Sequence, residues 1–264
     1  EHHGPHFDAK GLLTVPPGPQ RTPMLFQAGA SVPGRDLAAK YAEAVFLAAE
    51  VPALTAQIAD IRRRAEEYGR DPRSIKCLIA GTFVVAETEA DAQALRARQT
   101  GTRSLEDAAA SYAFFTGLDL SVMDPDKPLD VEAALTQTGR TNVERFLGPD
   151  APTVREILEE FQRNSVMGAP FIGDAGQVVD QAQAVIEATD ADGFLVQPDH
   201  TGTFDSFIDL VMPELRARGL VATDLPAMTL RERLLGTGTP HLAPEHPGAA
   251  YRRDVASAKS PATA

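Results

Sequence analysis

Apolar residues along this chain occur in two textures, short continuous runs and stretches with one apolar position every three or four residues. Their alternation predicts strands and helices in turn. Met24–Gln27 is a compact run between the Pro/Gly-rich segment 16–23 and Gly29, and it predicts a buried strand ending near Ala28. Leu37, Ala38 and Tyr41 follow at helical spacing after Gly34, and Ala44–Leu47 is again continuous, which makes one β–α–β unit. Leu54, Ile58, Ile61, Ala65 and Tyr68 then predict a helix, with Pro52 near its start and Gly69 just past its end. Ile75–Val85 predicts a strand, and Thr88 with Asp91 three residues on predicts a capped helix running through Arg98.

From Thr102 to Gly148 few apolar positions are periodic and Asp124-Pro-Asp-Lys-Pro128 interrupts the chain, so the stretch reads as an insertion, extending over about 102–170. Helices are predicted at Val154–Phe161, capped by Thr153 with Glu156, and at Ala175–Ala188, where Val178, Ala182, Val185 and Ile186 share a face. Gly193–Gln197 is the fourth strand. Phe204, Phe207, Ile208, Val211 and Leu215 mark a last major helix that ends at Gly219 and that Pro213 should kink or divide. Beyond Leu235 the chain is rich in Pro, Gly and Ala, and 236–264 is expected to be a disordered tail. Four alternating β/α units predict a parallel sheet with helices packed outside it. Four strands cannot close an eight-stranded barrel, so the choice lies between a small open sheet and part of a larger barrel.

Composition narrows the partners. With 25 Lys+Arg against 37 Asp+Glu in 264 residues the net charge is −12, and no basic stripe interrupts the acidic surface. Nucleic acid and anionic membranes are therefore poor partners. No apolar run approaches the roughly 18 residues needed to span a bilayer. The lone cysteine, Cys77, has no disulfide partner within the chain and fits a reducing compartment, the cytoplasm.

The most informative stretch for chemistry is Phe26-Gln-Ala-Gly-Ala-Ser-Val-Pro-Gly-Arg35. Gly29 and Ala30 allow close backbone approach, Ser31 adds a hydroxyl, and a helix opening near Gly34 brings unpaired N–H groups and a positive dipole end, a combination suited to phosphate. A tight strand-to-helix turn with Ser31 as an N-cap accounts for the same residues equally well. No G-x-G-x-x-G, Walker A or G-x-S-x-G pattern is present. His2, His3 and His6 lie close together without a partner at metal-ligand spacing. His200, after the fourth strand, reads as a solvated loop residue, and Asp124, Asp126 and Asp130 as a solvated acidic turn without the central Gly of a calcium loop. Cys77 reads as core.

Several segments, in order along the chain, resemble the flavin-dependent luciferase-like monooxygenases. More narrowly, they are similar to the branch containing nitrilotriacetate monooxygenase component A and dibenzothiophene-sulfone monooxygenase. The matching pieces are His6-Phe7 with Gly11-Leu-Leu-Thr-Val-Pro16, Gln27-Ala-Gly-Ala-Ser31 with Gly34-Arg35, Ala44-Val-Phe46, Ala86-Glu-Thr-Glu-Ala90, Asp192-Gly-Phe194, and Pro213-Glu-Leu-Arg-Ala-Arg-Gly219 leading to Thr229-Leu-Arg-Glu-Arg-Leu234. The resemblance implies a (β/α)8 barrel of the TIM type, of which residues 1–235 supply about strands 5–8 plus the insertion. The chain begins with Glu1 rather than Met, so the first half of the barrel is expected to be missing, and a fragment by itself is expected to be inactive.

The resemblance further implies oxygenation of a small organic substrate by O2 and reduced FMN supplied by an NAD(P)H-dependent flavin reductase, in a homodimer. A deazaflavin is the alternative cofactor, and a non-catalytic flavin-binding or structural relative is the alternative function. By the resemblance Ser31 holds the FMN phosphate, with Gly29 and Ala30 as backbone neighbours and Gly34 and Arg35 as further candidates. Residues around the flavin ring belong to the first half of the family barrel, so no catalytic residue is assigned. Glu50 and His200 take no family role.

Overall fold

The computed structural model describes residues 2–11, 14–130, 143, 146–164, 170–198 and 200–251. They form two compact units, residues 26–225 and a terminal unit made of 1–25 with 226–264. In the terminal unit a minimal antiparallel ladder joins β1 (His2–His3) to β2 (Asp8–Ala9).

In the larger unit β3 (Phe26–Ala28), β4 (Ala44–Leu47), β5 (Lys76–Val85), β6 (Phe171–Gly173) and β7 (Gly193–Gln197) make a five-stranded sheet. Every pairing in it is parallel, as expected where helices cross over between strands. β4 lies between β3 and β5. The long β5 pairs with β7 through Leu78–Thr82 and with β6 through Phe83–Val85. The crossovers are α1 (Val32–Tyr41) from β3 to β4, α2 (Val51–Glu67) from β4 to β5, and α6 (Ala175–Thr189) from β6 to β7. α3 (Glu89–Gly101) follows β5.

Period-two alternation sets the packing. Val45, Leu47, Cys77 and Ile79 lie in one buried cluster with Ala38 of α1 and Leu54, Ile58, Ile61 and Ala65 of α2. Farther along the same strand Phe83 and Val85 pack with Val178, Val179 and Ala182 of α6 and with Val211. Phe83 anchors an aromatic group, with ring centroids 5.0 Å from Phe171, 5.9 Å from Phe194 and 4.9 Å from Phe207. Gly81 is required there, because a Cβ would lie 2.7 Å from the Phe194 ring and 3.0 Å from Phe83. At the amino ends of the strands Arg62 donates to the carbonyls of Pro72 (3.0 Å) and Asp190 (2.8 Å) and to Asp192 (3.2 Å), while Asp192 accepts the Cys77 N–H at 2.8 Å. Burial pushes the Cys77 thiol up to about 11, with nearby Arg62 opposing the shift only in part. The cysteine is core, as expected.

Two elements go beyond the sequence expectation, and a third bears it out. The insertion is not featureless: α4 (Leu105–Thr116) opens with a Ser104–Asp107 capping box and ends at Gly117 in the left-handed region. α4 packs on α5 (Val154–Arg163) around Tyr112, Val143, Ile157 and Phe161, a second core distinct from that of the sheet. The strand β6 is new, raising the parallel strands from four to five, because three residues are too few to show a period. Pro213 does divide the last major helix. α7 (Thr203–Ser206) passes into a π-helical turn at Phe207–Val211, and α8 (Met212–Ala217) then starts with Pro213 in its first turn, where the missing N–H has no intrahelical partner to lose.

In the terminal unit α9 (Leu230–Leu235) is capped by Thr229 and Glu232, and Arg231 is fully buried. Its guanidinium donates to the carbonyls of Thr22 and Pro23 (3.0 Å each) and Pro240 (2.6 Å). Within the stretch expected to be a disordered tail, Leu242 and His246 are buried and Pro247–Tyr251 forms a 3-10 turn. Residues 252–264, like 131–142, 144–145 and 165–169 of the insertion, lie outside the described residues. So do Leu12 and Leu13 of the amino-terminal motif.

Candidate functional site

The carboxyl end of β3 leads through Gly29, Ala30 and Ser31 into α1, so the stretch singled out in the sequence is a strand-to-helix turn on the face where parallel α/β folds bind ligands. Gly29 has φ +129°, a conformation that favours glycine. Ser31 is extended (φ −63°, ψ 155°), and its Oγ accepts the Gly34 N–H at 3.2 Å, an N-cap. Gly34 sits against the turn: a Cβ there would lie 3.0 Å from the Gly29 carbonyl oxygen and 3.1 Å from Ser31 Oγ.

Accounting for backbone donors shows what the turn offers. The Arg35 N–H is taken by the Ser31 carbonyl at 2.8 Å and that of Gly34 by Ser31 Oγ, and Pro33 has none. The N–H groups of Ala30, Ser31 and Val32 donate to no group among the described residues. Ser31 Oγ accepts with a lone pair, so its O–H remains available to donate. Three backbone donors, one hydroxyl and the positive end of α1 thus lie within one exposed turn of small residues.

Arg35 turns the other way. Its guanidinium donates to the Ala30 carbonyl and, through Nε, to Asp60 Oδ2 of α2 at 2.7 Å, with side-chain exposures of 18% for Arg35 and 21% for Asp60. Asp60 also receives Arg64 Nε at 2.9 Å and Arg63 at 2.5 Å. Burial opposes ionisation of Asp60, but the three arginines outweigh it and hold the carboxyl well below the usual carboxylate range. Gly29, Ala30, Ser31 and Gly34 are therefore brought together as one turn, whereas Arg35 backs it from the α2 side. Asp60 was not signalled by the sequence, because its partner is 25 residues away.

The remaining candidates are structural. His3 pairs with Asp8 at 3.0 Å in the terminal ladder. His200 Nδ1 lies 2.9 Å from Thr203 Oγ1 at the start of α7, and Glu50 precedes α2 without a capping side-chain bond. Asp124 accepts the Asp126 N–H at 3.1 Å and pairs with Lys127, a closed turn. No group of three or more His, Cys, Asp or Glu side chains that could hold a metal ion occurs among the described residues. No helix among them is long and apolar enough to cross a membrane.

Comparison with known proteins fixes the class. The luciferase-like monooxygenase family model matches residues 1–198, and the chain belongs to that family. It is 36% identical to the long-chain alkane monooxygenase of Geobacillus thermodenitrificans over 256 residues, covering 95% of this chain and 53% of the relative. It is 32% identical to nitrilotriacetate monooxygenase component A of Aminobacter aminovorans, over 88% of this chain and 52% of the relative. The crystal structure of riboflavin lyase with modified FMN and riboflavin superimposes with a TM-score of 0.83 at 40% identity, over 96% of this chain and 56% of that one. The parallel sheet is accordingly part of a luciferase-like TIM barrel, and the chain spans about half the length of the relatives it matches.

Proposed function

We propose that this chain is part of the oxygenase of a two-component system, which takes reduced FMN from an NAD(P)H-dependent flavin reductase and uses it with O2 to oxygenate a small organic substrate. The observation that carries the reading is the Gly29–Ser31 turn, a cradle for a phosphate monoester at the carboxyl end of a parallel strand in a chain of this family. The residues fit the group. Ser31 would donate its O–H to a phosphate oxygen, and the Ala30, Ser31 and Val32 N–H groups would donate to the others. Gly29 keeps side-chain bulk away from them. Gly34 allows the turn to close on the helix. Once bound, reduced FMN supplies the oxygen chemistry. The chain's own share is to bind, orient and neutralise the phosphate end.

FMN is preferred over a deazaflavin because a relative 40% identical over nearly the whole chain is described with modified FMN. The two-component arrangement is supported by the name of the nitrilotriacetate relative, a component A. A homodimer in the cytoplasm completes the reading, the latter supported by the lone buried thiol. A second reading of the substrate is favoured by the same 40% identity: a planar heteroaromatic such as riboflavin, in place of an alkane or a polyaminocarboxylate.

The test is to supply a complete barrel, this chain together with the strands it does not contain, with FMN, a flavin reductase, NADH and O2, and to follow product from an alkane, nitrilotriacetate and riboflavin in parallel. Oxygenated product from one of them is the expected result. FMN binding without any product would make the protein a non-catalytic flavin binder, and preference for a deazaflavin would replace the cofactor. Ser31→Ala is expected to weaken FMN binding by about 1–2 kcal/mol, the scale of one hydrogen bond to a charged group. Unchanged affinity would remove Ser31 from the site.

A further inference from the structure

Arg35 is the cation that the sequence places beside the turn nominated for phosphate, yet its guanidinium grips the Ala30 carbonyl and is itself held by Asp60. Ala30 C=O and Ser31 N–H belong to the same peptide group. A trans peptide is planar, and its C=O and N–H point in opposite directions. Fixing the carbonyl toward Arg35 therefore fixes the Ser31 N–H away from it, outward from the turn, where it meets no acceptor among the described residues. We infer that Arg35 and Asp60 are positioning residues that set the direction of the Ser31 N–H for a phosphate monoester, acting through the Ala30 peptide rather than by touching the ligand.

The inference rests on the phosphate reading above and adds to it a latch that reaches from α2. Asp60 is the fixed end: it takes Arg35 Nε at 2.7 Å and Arg64 Nε at 2.9 Å, and so ties the second and fourth turns of two helices to one carboxylate. A guanidinium is needed because one planar fork must donate in two directions at once, to Asp60 and to the carbonyl. A lysine has the charge without the fork.

The test compares FMN with riboflavin, which differ only by the phosphate, as ligands of wild type, Arg35→Lys, Arg35→Met and Asp60→Asn. Binding is read by flavin fluorescence, with thermal unfolding followed alongside. Wild type is expected to prefer FMN. Arg35→Lys, Arg35→Met and Asp60→Asn are each expected to cut the FMN-to-riboflavin affinity ratio by about tenfold, the scale of one charge-assisted hydrogen bond.

Asp60→Asn keeps the side-chain shape and covers the case in which an Arg35 variant does not fold. A merely structural role would lower the unfolding temperature and leave the ratio intact, which overturns the inference. Recovery of the ratio in Arg35→Lys but not in Arg35→Met would mean that charge, not direction, matters, and also overturns it. A ratio near one in wild type defeats the phosphate reading itself. A normal wild-type ratio that falls with Ser31→Ala but not with Asp60→Asn defeats only the latch.

Discussion

Ser31 carries two roles that a single substitution conflates, since its Oγ caps α1 and its O–H is free to meet a phosphate. Ser31→Ala is expected to cost about 0.5–2 kcal/mol of stability for the lost cap, in addition to its effect on FMN. Ser31→Asp separates the two. Aspartate caps a helix as well as serine does, so urea unfolding is expected to stay within about 0.5 kcal/mol of wild type. Its carboxylate would face the phosphate, however, and FMN affinity is expected to fall by more than about tenfold. Equal loss of stability in the two variants would show that the hydroxyl does more in the free protein than cap. Cys77 gives a second prediction at this scale. Its N–H is bonded to Asp192, its side chain is buried, and burial raises the thiol to about 11, so a disulfide reagent at pH 8 is expected to label it only as fast as the protein unfolds. Rapid labelling of the folded protein would contradict the buried cluster that contains it.

At the scale of elements, α1 and α2 are joined by charge as well as by the Ala38–Ile58–Ala65 packing. Arg35, Arg63 and Arg64 surround Asp60, and Arg64 reaches on to Asp36 at 3.1 Å. A carboxyl whose folded value lies below its ordinary 3.8 contributes stability in full above that value and loses it as the pH falls toward the folded one. Asp60→Asn is therefore expected to be less stable than wild type at neutral pH. The gap should narrow below pH about 4, as protonation removes the same interaction from wild type. Urea titrations at several pH values measure that gap, and a constant one would deny Asp60 its depressed pKa. Most elements of this unit are legible in sequence because local rules write them: Pro52 and Gly69 bracket α2, Thr88 and Asp91 cap α3, and Gly193–Gln197 is a plain apolar run. α4 is hard to read because Phe114, 83% exposed, places a large apolar residue on the side opposite the face that Ala108, Ala109 and Tyr112 bury and so blurs the period. Its Ser104-x-x-Asp107 box and Gly117 were the available signals. β6 had none, since three residues become a strand only by pairing with the end of β5.

Over the whole molecule the same division recurs, with contacts close in sequence legible and distant ones hidden. The turn at Gly29–Ser31 was legible as a unit because glycine, serine and a helix start fall within a few residues. Asp60 was not, nor was the reason for Arg231, whose partners lie some two hundred positions away at 20–23 and nearby at 240. Among the described residues Arg231 is the largest fully buried side chain, and it spreads its fork over the carbonyls of Thr22, Pro23 and Pro240. It joins the amino-terminal and carboxyl-terminal stretches that make up one compact unit. Lysine can carry the charge but cannot present planar donors to three carbonyls at once, so it leaves part of this network unmade. Arg231→Lys is therefore expected to raise amide hydrogen exchange in 20–25 and 229–246 while leaving β4 and β5 protected, because those strands draw their packing from α1 and α2. Exchange that rose equally in both units would mean that they unfold together, and that the guanidinium supports more than the unit in which it is buried.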